Sequence, residues 1–202
     1  MKCKGLSTLH RSKYDLNRQI TGVFSKGIQV GPSDRQLLQA RKFRVIERTE
    51  QRAEGPVCQE IIVHPGAVAI IPIVDAERLC LIKNRRMAVG ETLLELPAGT
   101  QEVGESPRVT ATRELREETG FSAETMVPLG SCWMSPGILR EKVSFFIARG
   151  LTGGTPAPEK DEQIENHLLT LRESVEMIFN GQITDAKTIV GLLLFERLGM
   201  TR

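Results

Sequence analysis

Three glutamates lie close together in the sequence, at Glu114, Glu117 and Glu118. At about 100° per residue, an α-helix would carry them on one face, with Glu114 and Glu118 one turn apart. Carboxylates this close repel one another, and hard divalent cations relieve that repulsion. Mg²⁺ in particular binds a few carboxylates while keeping sites for water and phosphate oxygens. The spacing therefore predicts a divalent cation site suited to phosphate chemistry.

The neighbouring residues indicate how such a helix would be held. Arg113 precedes the glutamates and could pair with Glu105, which would hold the preceding loop against the helix. Ser106-Pro107 offers an N-cap and a first-turn proline, and Gly120 would end the helix. A solvated acidic helix face would explain any two of the glutamates, so the prediction depends on the whole pattern.

The segment from Gly99 to Phe121 matches the pattern G-x5-E-x7-R-E-U-x-E-E-x-G-U at every position, U being aliphatic or aromatic. This pattern is the Nudix box, and the chain resembles the Nudix hydrolases. The resemblance implies an α/β fold, namely an α/β/α sandwich with a mixed sheet, and a Mg²⁺ cofactor that Mn²⁺ could replace. It also implies that the three box glutamates and the backbone carbonyl of Ala98 hold the metal.

Residues around the box resemble the nucleotide-sugar branch of this family, typified by ADP-ribose pyrophosphatases. The stretch Leu-Glu-Leu-Pro-Ala-Gly at 94–99 is similar to the segment that leads into the box in that branch. Members of the branch also carry a proline beyond the box, and Ser135-Pro136-Gly137 lies at the matching position. The resemblance implies substrate contacts from Pro136 and Gly137. It also implies that Arg86, in the basic stretch before the box, holds the substrate's phosphates.

A glutamate from a late loop assists catalysis in this branch, as a base or as a further metal ligand. Glu159 and Glu162 are the candidates, and Glu162 is preferred because the run Glu-Gln-Ile-Glu at 162–165 resembles the acidic run before the next strand in relatives.

Two positions bear on adenine recognition. Gln59 stands where ADP-ribose enzymes often have an arginine, and Phe43 is either the aromatic residue that stacks on adenine or a core residue.

The elements that must position these residues alternate between strand and helix, without internal repeats. Alternating patterns predict antiparallel strands at 42–49 and 57–64, with Phe43, Val45, Ile61 and Val63 buried. Continuous apolar runs predict central strands of one sheet at 68–74 and 78–83. Further strands are expected at 93–96, 126–133, 142–148 and about 167–171, a mobile loop at 152–158, and helices at 107–119, 173–180 and 185–198.

The length of 202 residues suits one domain with additions. We expect an N-terminal arm and antiparallel strand region at 1–60, serving dimerisation and substrate recognition, and a Nudix domain at 61–202. Residues 1–26 lack periodicity and could order against a partner subunit. The resemblance to homodimeric enzymes implies a homodimer.

Charge and hydropathy exclude several classes of protein. The 27 Lys and Arg residues nearly balance the 25 Asp and Glu residues and are scattered, which argues against nucleic-acid and membrane-surface partners. The apolar stretch at 67–74 is too short for a membrane span, and no segment resembles a signal peptide. Of four cysteines, none forms a C-x-x-C pair and two lie in apolar strand-like runs, which favours a reducing, cytoplasmic setting.

Together these features predict Mg²⁺-dependent hydrolysis of a nucleoside diphosphate sugar, with ADP-ribose cleaved to AMP and ribose 5-phosphate as the preferred reaction. Glu105 would support the site through Arg113, and Glu162 would orient or deprotonate the water. A near alternative is another nucleotide sugar, such as a GDP-sugar. The alternative from a different class is a catalytically silent module that binds a ligand, whose mark would be a broken box.

Overall fold

The computed structural model describes residues 34–153 and 164–198. In chain order the described elements are β1 (Asp34–Gln39), β2 (Arg44–Arg52), β3 (Gly55–Val63), β4 (Ala67–Pro72), β5 (Arg78–Arg86), β6 (Glu91–Glu95), β7 (Ala98–Thr100), α1 (Pro107–Thr119), β8 (Ser122–Ser135), β9 (Leu139–Thr152), β10 (Ile164–Thr170), α2 (Leu171–Phe179) and α3 (Ala186–Arg197). One sheet has the order β1-β2-β3-β9-β4-β7, with β8 paired to β9. The other has the order β10-β5-β6.

Helices cover both faces of the larger sheet at β4 and β9. Ala69 of β4 belongs to a core cluster that includes Phe195 of α3, whereas the next residue, Ile70, belongs to a cluster that includes Leu115 of α1. Because side chains of a strand alternate between faces, β4 is buried along its whole length. It pairs parallel to β9 and antiparallel to β7, so the α/β/α sandwich with a mixed sheet is confirmed.

The N-terminal strands β1, β2 and β3 form the expected antiparallel region, and β3 joins it to the core by pairing with β9. The sequence pattern did not predict β1, because its residues are mostly polar and do not alternate. Cross-strand ion pairs stabilise it instead: Arg35 contacts Glu47 at 3.0 Å, and Asp34 contacts Arg48 at 2.7 Å.

Two expectations about the strands are wrong. Phe43 is 38% exposed rather than buried, and Ile46 fills the inward position of β2. The reason is that a turn, closed by a 2.9 Å hydrogen bond from the Ala40 N–H to the Phe43 carbonyl, ends just before the strand begins. The apolar runs at 68–74 and 78–83 were expected in one sheet, but β4 lies in the larger sheet and β5 in the smaller, with an isolated antiparallel bridge from Ile73 to Leu79 between the two runs.

The three predicted helices are present, each with a polar N-cap side chain: Ser106 for α1, Thr170 for α2 and Asp185 for α3. Among the described helices, none has the length and apolar character needed to cross a bilayer. Cys58, Cys80 and Cys132 are free thiols, and Cys80 is buried in its strand as expected. The expected arm at 1–26 and most of the expected loop at 152–158 lie outside the described residues.

Gly191 of α3 packs tightly on the core. A Cβ there would lie 2.6 Å from Leu96 Cδ1 and 3.2 Å from Phe145 Cδ1. Alanine favours a helix over glycine by about 1 kcal/mol, but overpacking a core costs about 1–3 kcal/mol. We therefore expect Gly191→Ala to lower the free energy of unfolding, measured by urea titration. Glu196→Ala, on the exposed side of α3, is the control, and an unchanged or raised stability of Gly191→Ala would contradict close packing here.

Candidate active site

Helix α1 carries the glutamates on a face that the core fixes in orientation. The Ser106 side chain accepts a hydrogen bond from the Val109 N–H, and Gly120 ends the helix in the left-handed region at φ 75°. Leu115 is buried on the side of α1 that faces the sheet. The glutamates differ in exposure: Glu118 is 2% exposed, whereas Glu117 keeps about a third of its side chain in solvent. Three carboxylates therefore lie along a gradient from core to surface.

The strand that leads into α1 contacts two of the glutamates through its backbone. The Ala98 N–H donates a 2.8 Å hydrogen bond to Glu118 Oε2. Gly99 lies so close to the Glu114 carboxylate that a Cβ at this position would overlap it. The glycine is required here for close approach of a side chain to the backbone. The fold thus brings Ala98 together with Glu114 and Glu118, as the expected metal site needs.

Arg113 is the centre of a network of carboxylates. Its Nε and Nη2 donate to the two oxygens of Glu105, both at 3.0 Å, so the expected pair is present and bidentate. Its Nη1 donates to Glu114 at 2.7 Å and to Glu117 at 3.0 Å. A further bond to the Thr100 carbonyl, at 3.2 Å, ties the loop to the helix.

These contacts change the acid–base properties of the pair. Hydrogen bonds from Arg113 lower the pKa of Glu105 from 4.5 to about 2, against the opposing effect of burial. The bonds to Glu105, with those to Glu114 and Glu117, raise the pKa of Arg113 above its usual value. Glu105 is therefore ionised at neutral pH, and one guanidinium faces three carboxylates.

The donor set fits a hard divalent cation. Glu114, Glu117 and Glu118 offer carboxylate oxygens, the ligands that Mg²⁺ and Mn²⁺ prefer. In the described residues, Glu114 and Glu117 bond to Arg113, and no group of three acidic, histidine or cysteine side chains already converges at metal-ligand geometry. Holding a cation therefore requires the Glu114 and Glu117 side chains to turn from Arg113 towards Glu118.

Arg86 lies at the end of β5, close enough to the helix for the charge of Glu118 to act on it. Its Nε and Nη2 donate to the buried Glu95 at 2.8 and 2.7 Å. The hydrogen bond that Arg86 donates to Glu95 is the main reason why the pKa of Arg86 is raised, and the charges of Glu118 and Asp185 add to the shift. Arg86 was predicted from the sequence as a phosphate contact, whereas Glu95, which orients it, was not predicted.

A cavity of about 240 Å³ lies beside the N-terminal end of β9 and includes Pro136 and Gly137 in its lining. Gln59 also lines it and donates a 2.7 Å hydrogen bond to the Gly137 carbonyl, whereas Phe43 is not part of it. Three lining residues that could hold an aromatic or anionic group were not predicted from the sequence: Arg48, Trp133 and Arg140. Trp133 is the only tryptophan of the chain and lies close before Pro136, and this position could have indicated its role from the sequence.

The remaining predicted site residues, Glu159 and Glu162, lie outside the described residues. Their roles in catalysis stay predictions. The described candidate residues are therefore the α1 glutamates with Arg113 and Glu105, the backbone at 98–99, Arg86 and, separately, the lining of the cavity around Pro136.

Glu105 generates a prediction for the pH dependence of stability. Because its pKa is lower in the folded protein than the ordinary 4.5, its ionised form stabilises the fold above that value, and this contribution is lost as the pH falls towards about 2. Glu105→Gln should lower the free energy of unfolding by about 1–3 kcal/mol at pH 7. Urea titrations at pH 7, 4 and 2.5 should show the difference from wild type shrinking; a constant difference would contradict the assignment. Glu102→Gln, in the same loop, is the control.

Comparison with known proteins places this site in a family. Residues 63–189 match the NUDIX domain. The methanol dehydrogenase activator of Bacillus methanolicus is 39% identical over 136 residues, which cover 66% of this chain and 74% of that protein. The ADP-ribose pyrophosphatase of Bacillus subtilis is 36% identical over 132 residues, which cover 64% of this chain and 71% of that protein.

A solved structure described as an ADP compounds hydrolase has the same fold, with a TM-score of 0.71 and 24% identity. The alignment covers 86% of this chain and 96% of that one. The matched domain runs from the end of β3 into α3, and so includes the smaller sheet, the strands β4, β7, β8 and β9 of the larger sheet, and the glutamate helix. With its box intact and its glutamates gathered on the backbone at 98–99, the chain belongs to the Nudix family.

Proposed function

We propose that this protein is a Nudix pyrophosphohydrolase that cleaves the diphosphate of a nucleoside diphosphate sugar, with ADP-ribose converted to AMP and ribose 5-phosphate. The observation that carries the proposal is the cluster of α1 glutamates beside the backbone of Ala98 and Gly99, with Arg86 close by. The relative named ADP-ribose pyrophosphatase supports the choice of substrate.

Glu114, Glu117, Glu118 and the Ala98 carbonyl would hold Mg²⁺ or Mn²⁺. When bound, such cations would neutralise the diphosphate oxygens and lower the pKa of a bound water. Glu118 is already oriented by the Ala98 N–H, so one of its oxygens has a fixed position before a ligand arrives. Arg113, bonded to Glu105 in a bidentate pair, would hold the loop before α1 in place while Glu114 and Glu117 turn from Arg113 to the cation.

The substrate would extend from Arg86 towards the cavity at Pro136. Arg86 would bind non-bridging oxygens of the diphosphate, since its fork suits phosphate and Glu95 holds it in one orientation. Trp133 offers an aromatic wall and Arg48 and Arg140 offer cations, which suits a nucleoside with its phosphate. Gln59 is bonded to Gly137 and would shape the cavity rather than read a base directly.

Three further parts of the proposal concern the N-terminal strands, the late loop and the cellular setting. Exposed apolar side chains on the N-terminal strands, including Leu37, Leu38 and Val57, favour a homodimer built on that region. Phe43, exposed at the start of β2, would be available to such an interface or to a substrate. Glu162 remains the proposed base or further ligand, and a cytoplasmic setting accords with the free thiols.

A panel of nucleotide sugars tests the function. Purified protein with Mg²⁺ or Mn²⁺ is given ADP-ribose, ADP-glucose and GDP-mannose, and the phosphate released by a coupled phosphatase is measured. We expect turnover, with the highest kcat/KM for ADP-ribose. A higher kcat/KM for GDP-mannose would reject ADP-ribose as the preferred substrate but would support the hydrolysis of a nucleotide-sugar diphosphate. Inactivity on the whole panel with both metals would favour a ligand-binding module without turnover.

Glu118 is the sharpest test of the metal site. Glu118→Gln retains an oxygen that can accept from the Ala98 N–H but removes a negative charge, so we expect kcat to fall by about 100-fold or more while the fold persists. Steady-state kinetics and thermal melts measure the two effects. Glu196→Gln, exposed on α3, is the matched control. Turnover of Glu118→Gln at the wild-type rate would refute the assignment.

A further inference from the structure

A second charged network surrounds Glu95 at the end of β6. Its side chain is 1% exposed, and it accepts hydrogen bonds from two cations, Arg86 of β5 and Lys187 of α3. The Lys187 Nζ lies 2.5 Å from Glu95 Oε2, and Arg86 donates at 2.7 Å to the same oxygen. A buried carboxylate is costly unless its charge is compensated and its oxygens are hydrogen-bonded. Glu95 therefore joins three elements through its charge.

The first turn of α3 determines the position of Lys187. Asp185 Oδ1 accepts a 2.8 Å bond from Lys187 Nζ, and Asp185 Oδ2 accepts from the Thr188 hydroxyl at 2.6 Å. The Thr188 Oγ1 in turn accepts the Leu96 N–H at 2.8 Å. The start of α3 is thus bonded to Glu95, the last residue of β6, and to the next residue, Leu96, shortly before the backbone that contacts the glutamate helix.

The same network leaves Arg86 able to bind an anion. Of the five N–H donors of its guanidinium, Glu95 takes two, and within residues 34–153 and 164–198 the other three remain for a ligand. Lys187 and Arg86 bind the same oxygen of Glu95, and Asp185 accepts a further bond from Lys187, so Arg86 and Lys187 are balanced by two carboxylates. Lys187 therefore holds in place the carboxylate that orients the guanidinium of Arg86.

We propose that Lys187 is a positioning residue for the diphosphate of the substrate, acting through Glu95 and Arg86. The inference rests on the proposed function in one respect, that Arg86 contacts the diphosphate. Lys187 does not need to touch the substrate, because its Nζ bonds to Glu95 and Asp185. Its removal should therefore affect diphosphate binding only while Arg86 is present.

A double-mutant cycle distinguishes this role from a purely structural one. The probe is inorganic pyrophosphate with MgCl₂, and its Kd is measured by calorimetry, so no turnover is needed. We expect Lys187→Met to raise the Kd by about tenfold, within the coupling range of contacting residues. Arg86→Gln should raise it further, and adding Lys187→Met to Arg86→Gln should have no additional effect. Lys187→Arg should retain most of the affinity.

Lys83 provides the matched control. It is a lysine paired with a glutamate, Glu165, at 3.6 Å, but it is more exposed and lies on the opposite face of β5 from Arg86. Lys83→Met should leave the Kd for pyrophosphate unchanged. Should Lys187→Met not fold, Lys187→Gln, which retains a donor to Glu95 without the charge, takes its place in the cycle.

The outcomes separate this inference from the proposed function. A Kd within twofold of wild type in Lys187→Met, with or without a lower Tm, would overturn the positioning role, even if the wild type hydrolyses nucleotide sugars. The positioning role would also be overturned if the increases in Kd caused by Lys187→Met and Arg86→Gln multiplied in the double variant. It would likewise be overturned if the wild type did not bind pyrophosphate. Coupled effects on pyrophosphate in a protein that hydrolyses nothing on the panel would uphold the inference and reject the function.

Discussion

Negative charge concentrated on one helix is the constraint on which the rest of the site depends. Arg113 bonds to Glu105, Glu114 and Glu117, so one positive charge faces three carboxylates, while Glu118 lies buried beside the backbone of Ala98. Carboxylates this close repel one another, and bound divalent cations would relieve the repulsion. The arrangement is therefore suited to divalent cations, and through them to a diphosphate.

The backbone, as well as the side chains, positions the glutamates of α1. Antiparallel pairing of β7 with β4 brings Ala98 and Gly99 against α1, and the absence of a Cβ at Gly99 admits the Glu114 carboxylate. Arg86 and Lys187 lie around Glu95 at the end of β6, only three residues before Ala98. One network with an excess of carboxylates and one in which two cations balance Glu95 and Asp185 thus lie on either side of Ala98 in the chain.

Contacts local in the chain were predictable, and contacts between distant strands were not. The bounds of α1 followed from Ser106, Pro107 and Gly120, because caps act within one turn of a helix. β1 escaped prediction because ion pairs with β2, not an apolar face, hold it in the sheet. Phe43 was expected in the core, but its exposure depends on where the turn before β2 ends.

The sequence by itself determined the chemistry: the number and spacing of the glutamates, their shared helical face and the arginine that pairs with Glu105, all set by helix periodicity over a few residues. Only the tertiary structure decided that Lys187 meets Glu95, 92 residues earlier in the chain. It also decided that Trp133 and Arg48, from different strands, line one cavity. Such neighbours depend on strand register and helix packing, which arise from burial across the whole domain rather than from local pattern.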